Sequence, residues 1–174
     1  MQSPYCFIAT PRGDVRYDTI RESGLIVSSS QEDHKVTNRY AIVRSLPINY
    51  NGPIEVGDTL LVHHNTFRRY YDMKGKERNG PSYFKDGLFF IFEDQYFMYK
   101  KSGGKWTAPD PYCFIRPTKD KLIGTVAYNN NELESIGVME GDVVSFQPES
   151  EYEFRLDGEI LYRMFTRNIC LIGI

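Results

Sequence analysis

The sequence is poor in cysteine, in charge of one sign and in long apolar runs, and each shortage closes off a class of protein. Its three cysteines, Cys6, Cys113 and Cys170, are odd in number and show no C-x-x-C spacing. A disulfide framework or a zinc site therefore has no basis, and a reducing, cytoplasmic setting is expected. Lys and Arg number 21 against 23 Asp and Glu, so no charge excess draws the chain to nucleic acid or anionic membrane in general. No run of about 18 apolar residues occurs, and Met1 to Tyr5 contains no basic region leading into an apolar one. Neither export nor membrane insertion is expected. Helical periodicity is scarce too: no window longer than about ten residues sustains apolar positions at i, i+3, i+4 and i+7 without Gly or Pro intruding. Nor is there a Gly-rich phosphate loop, an H-E-x-x-H, a nucleophile elbow or a Cys-His pairing at recognisable spacing, so no enzyme activity, cofactor or metal is expected.

Aromatic residues are plentiful instead, with 13 Tyr and 11 Phe. Such side chains fit the pleated, half-buried surface of a sheet, and short runs of them stand between Gly, Pro, Asn and Asp turns. An all-β fold of small barrels is the expectation.

The chain also repeats itself. Pro4-Tyr5-Cys6-Phe7-Ile8 recurs as Pro111-Tyr112-Cys113-Phe114-Ile115, which puts Cys6 and Cys113 at equivalent core positions on two opening strands. Ile54 to Asp58 then matches Val138 to Asp142, and Lys85-Asp86-Gly87 matches Leu156-Asp157-Gly158. Two aromatic-rich runs follow, Phe89 to Met98 and Ile160 to Ile172, each broken by a polar step. Cys6 and Gly57 are 51 positions apart but Cys113 and Gly141 only 28, so the first copy holds 23 extra residues. A second insertion lies at about 67–82. The Gly-rich stretch Ser102-Gly103-Gly104 marks the junction, giving domains 1–102 and 103–174.

In order, these features resemble the chaperonin-10 (GroES-like) family, twice over, and the resemblance implies two tandem GroES-like small β-barrels. Members carry a polar mobile loop in which a Gly precedes three aliphatic residues that dock on the apical domain of a chaperonin ring. Arg21 to Ser30 is similar to that segment, with Gly24 followed by Leu25, Ile26 and Val27. It falls inside the first copy's 23 extra residues; the second copy has no such loop. The family's usual opening strand, with an Asp-Arg pair, is replaced here by the Tyr-Cys-Phe-Ile runs, as suits a divergent member such as those some bacteriophages encode, acting then in the host cytoplasm. The implied partners are a GroEL-type chaperonin and the unfolded client inside its cavity. One loop per chain and seven sites on a bacterial-type ring imply a homo-oligomer of seven chains.

The loop also makes physical sense by itself. About residues 14–37 are polar around one apolar island, too little to offset the entropy of ordering, so a mobile loop is expected when free. Three aliphatic side chains entering a groove contribute roughly 1.5–3 kcal/mol each before ordering costs, so a single loop binds weakly and a ring of them tightly.

A different class of function rests on Phe67 to Lys76, where Arg68, Arg69, Lys74 and Lys76 interleave with Phe67, Tyr70 and Tyr71. Such a strip could stack single-stranded nucleic acid in an OB-like small barrel, although the balanced charge and the lack of a second strip weigh against it. His63 and His64, read as neighbours at an exposed strand end, should point to opposite faces and so fail to share a metal. His34 lies in the polar loop and reads as a solvated side chain.

Overall fold

A computed structural model describes residues 1–17, 20–22, 25–28 and 37–173. Two compact units emerge, Met1–Lys105 and Trp106–Ile174, and both are built of antiparallel strands. Among the described residues the only α-helix is a five-residue turn in the second unit, and no helix is long and apolar enough to cross a membrane.

The described residues of the first unit form ten strands: β1 Phe7–Pro11, β2 Ile20–Glu22, β3 Leu25–Ser28, β4 Tyr40–Ser45, β5 Thr59–Val62, β6 Arg69–Tyr71, β7 Glu77–Asn79, β8 Tyr83–Lys85, β9 Leu88–Ile91 and β10 Tyr96–Lys100. Six of them hydrogen-bond in the order β10-β5-β4-β1-β9-β8, while β2-β3 and β6-β7 are separate two-stranded hairpins. The second unit contains β11 Trp106–Thr107, β12 Tyr112–Pro117, β13 Ile123–Tyr128, α1 Asn131–Ser135, β14 Val143–Phe146, β15 Tyr152–Leu156, β16 Glu159–Phe165 and β17 Ile169–Ile172. Its order is β17-β14-β13-β12-β16-β15. Strand for strand, this is the order of the first unit.

Neither sheet closes into the small barrel expected of it, because the two end strands of each order do not pair with one another. Asp86-Gly87 and Asp157-Gly158 have positive φ at both positions, 49° and 74° in one and 48° and 87° in the other. That is the twist of a tight two-residue hairpin, which holds its outer strand against its immediate partner. β8 thus pairs with β9, and β15 with β16.

The Val56-Gly57-Asp58 and Glu140-Gly141-Asp142 corners are the same object in both units. Gly57 and Gly141 take φ of 96° and 95°, a region open to glycine and strained for other residues. Their amides donate to Val43 and Val126 carbonyls at 2.9 and 2.8 Å. Asp58 and Asp142 then each accept from the amide three residues back, Glu55 and Met139, at 2.8 Å.

The repeated pentapeptide, however, is not in register with the fold. Ile8 pairs with Phe90 and Ser45 and is followed by a β-bulge; Phe114 pairs with Arg163 and Tyr128 and is followed by the same bulge. The structural counterpart of Ile8 is therefore Phe114, that of Phe7 is Cys113, and Cys6 and Cys113 are not equivalent. A one-residue slip turns every side chain of a strand to the other face. Phe7 and Ala9 enter the first core, and Cys113 and Ile115 enter the second. Large-then-small on one strand is exchanged for small-then-large on the other, so the space filled per strand stays similar while the order of sizes reverses.

Within each core cluster the residues drawn from one strand recur with the sheet's period of two. Ala41 and Val43, Leu60 and Val62, and Phe89 and Ile91 complete the first. In the second, Val126, Val144, Phe146 and Met164 are joined by Leu133 from α1. The Asn130 side chain caps that helix by accepting from the Leu133 amide at 2.9 Å, a cap typical of Asn, and Leu133 is fully buried.

Candidate functional site

The hairpin β2–β3 holds the aliphatic tripeptide. Its backbone pairs Ile20 with Ser28, Arg21 with Ile26 and Glu22 with Leu25, with a bulge between Ile20 and Arg21. Leu25, Ile26 and Val27 thus lie together on β3, whereas Gly24 and His34 lie outside the described residues, as does most of the remaining loop. In the second unit β12 passes directly to β13 through a short turn at residues 118–122.

The base of the loop is held by a dense set of bonds. Tyr17 and Thr37 form an isolated antiparallel bridge where the chain leaves and returns. Asn38, buried, donates to the Arg12 and Val15 carbonyls at 3.0 and 2.7 Å and accepts from the Tyr40 amide at 2.9 Å. Every hydrogen-bonding group of that amide used here is directed at backbone, which is how a buried Asn avoids an unsatisfied polar atom.

Arg16 reaches across to the second insertion. Nε donates to the Phe67 carbonyl at 2.7 Å, Nη2 to the Arg68 carbonyl at 3.2 Å and Nη1 to Asn79 Oδ1 at 2.7 Å. The guanidinium carbon lies 5.0 Å from the Phe89 ring centre and 5.8 Å from that of Tyr83. Burial, and then the neighbouring Arg69, lower its pKa. Tyr17 Oη meanwhile accepts from the Arg69 amide. The two segments present in the first unit and missing from the second are therefore bonded to each other, a link that residue patterns do not reveal because its acceptors are mostly backbone carbonyls about 50 positions away.

The basic and aromatic strip takes a less uniform form than its sequence implies. Phe67 is fully buried and meets Phe89 edge-on, with ring centres 4.8 Å apart. Tyr70 and Tyr71 are exposed on β6, but neighbouring residues of a strand face opposite sides. Arg69 lies 3.3 Å from Glu77, and Arg78 lies 2.9 Å from Asp72. Asp72 also accepts from the Lys74 and Lys76 amides at 2.9 and 3.0 Å. These bonds, the Lys76 amide foremost, lower its pKa.

His63 and His64 differ from expectation. Strand β5 ends at Val62, so alternation does not reach them; their rings stack 4.1 Å apart, tilted by 31°. Both are half-buried, and His63 Nδ1 accepts from the Asn65 amide at 3.2 Å. Among the described residues no group of three His, Cys, Asp or Glu side chains is placed to hold a metal. Cys6 lies 2.9 Å from Ser3 Oγ, and burial, with Glu132 a lesser cause, pushes the Cys113 thiol up to about 12. Such a thiol is not nucleophilic near neutral pH.

Compared with known proteins, the chain matches no protein-family model and none of the curated proteins.

Proposed function

We propose that this chain is a co-chaperonin, with two divergent GroES-like β units, that caps a GroEL-type chaperonin through Leu25, Ile26 and Val27 on β3 and so assists folding of an enclosed client. One observation carries the reading. The two units share a strand order, yet only the first interrupts it between β1 and β4 with a hairpin bearing three consecutive aliphatic residues on a braced base. An ordinary core strand would belong to the shared sheet and have a counterpart in the second unit. A hairpin outside the sheet has no such structural duty.

Docking of one hairpin is weak and of several is strong, through effective concentration. A ring of seven chains, of about seven times 20.2 kDa, is part of the proposal. Purified protein mixed with a GroEL-type chaperonin and nucleotide should co-migrate with it on a sizing column. Free migration under those conditions, with binding of labelled single-stranded DNA instead, would replace the proposal with the nucleic-acid reading.

A further inference from the structure

A cleft of about 850 Å³ opens at one end of the first unit, and its lining is chemically one-sided. Tyr5, Tyr50 and Phe92 supply aromatic surface, Ile48 supplies aliphatic surface, and Glu93 and Asp94 supply carboxylates; no Lys, Arg or His lines it. Tyr5 and Phe92 are 81% and 47% exposed, so both rings are accessible to a ligand. Tyr50 is anchored edge-on to Phe7, ring centres 5.0 Å apart, so that wall of the cleft is rigidly backed by the core.

The second unit shows what such a corner holds. Phe92 and Phe165 are counterparts, because each donates its amide to the side chain three residues on, Gln95 Oε1 at 3.0 Å and Asn168 Oδ1 at 3.1 Å. The position two residues after Phe92 is Asp94, and two after Phe165 it is Arg167. In the second unit the Arg167 guanidinium lies 4.8 Å from the Phe165 ring centre. Arg163 lies 5.5 Å from the same ring and 5.4 Å from that of Tyr112. Where the second unit sets the Arg167 cation against Phe165, the first has the Asp94 carboxylate beside Phe92.

We infer that this cleft binds an arginine side chain presented by an extended peptide segment of a partner protein. Aromatic faces attract a cation, and Arg more than Lys because its planar guanidinium stacks while its N–H fork reaches carboxylates. Glu93 and Asp94 supply the complementary charge. The inference does not depend on the chaperonin reading.

The test is a titration of the full-length, nitrogen-15-labelled protein with acetyl-Gly-Arg-Gly-amide, followed by amide chemical shifts. The expected result is saturable shifts at Tyr5, Phe92 and Asp94, with the neutral citrulline peptide binding at least about tenfold more weakly. The lysine peptide should fall between them. Asp94→Arg, an exposed position, should fill the cleft as Arg167 fills its counterpart and remove the shifts. Phe92→Ser should also remove them by deleting the ring, and unchanged signals elsewhere would show that either variant is folded. Equal binding of the citrulline or lysine peptide, shifts located elsewhere or absent, or undiminished binding by Asp94→Arg would each overturn the inference.

Discussion

Arg16 Nε donates to the Phe67 carbonyl at 2.7 Å and thereby fastens the base of one insertion to the start of the other. Both segments distinguish the first unit from the second, so the bond joins the two features that make the units different. Replacing Arg16 with Ala removes three hydrogen bonds and a cation set against two rings. Because the guanidinium is partly exposed, the expected loss is about 1–3 kcal/mol. It should appear as a lowered Tm and as faster hydrogen exchange at the Asn38 and Arg69 amides. Unchanged exchange at those two amides would mean that the base is held without Arg16.

Ile26 gives a contrasting prediction. Under the proposed function Ile26→Asp places a charge in the chaperonin's apolar groove, at a cost of several kcal/mol. Co-migration with the chaperonin should disappear while Tm stays within about 1 °C of the parent, since the hairpin lies outside the six-stranded order. A large fall in Tm would identify Ile26 as a core residue and remove the loop reading.

The one-residue offset between the pentapeptides can be tested by exchange of sizes. Phe7→Cys should leave a cavity costing about 3 kcal/mol or more, and Ala9→Ile should overpack the same face by about 1–3 kcal/mol. Combined, they reproduce the Cys113 and Ile115 pattern, so the double variant should be more stable than the sum of the singles by about 1 kcal/mol or more in chemical denaturation. Strict additivity would argue that Phe7 and Cys113 are not counterparts.

Asp72 makes the tip of the β6–β7 hairpin sensitive to acid. Hydrogen bonds from the Lys76 amide, from Arg78 and from the Lys74 amide hold its carboxyl below the ordinary value of 3.8. A carboxylate whose pKa is depressed by folded contacts contributes order above its unfolded pKa and loses it as pH falls through the folded one. Protection of the Lys74 and Lys76 amides should therefore be constant from neutral pH down to about 4 and fall below that. In Asp72→Asn the acid dependence should vanish, whereas persistence would place the titrating group elsewhere.

Much of this architecture was legible in the residues. Alternating apolar positions, two Val-Gly-Asp or Glu-Gly-Asp corners and two Asp-Gly turns act over a few neighbours, and local chemistry of that kind keeps its meaning wherever it occurs. The segment Asn129 to Gly137 could have been read as a short helix, from its capping Asn and terminating Gly, yet five residues are too few to show a period.

The sequence by itself determined the antiparallel strands, the repeated corners and hairpins, and the aliphatic tripeptide confined to the first copy. Tertiary structure alone decided which residues of the opening strands enter each core cluster, because identical pentapeptides can enter a sheet in either of two registers and only cross-strand neighbours distinguish them. It also decided that Arg16 bridges the two insertions and that Asp94 stands where the second unit places Arg167. Those relationships depend on backbone carbonyls and on counterparts in separate sheets, and neither leaves a pattern along a single chain.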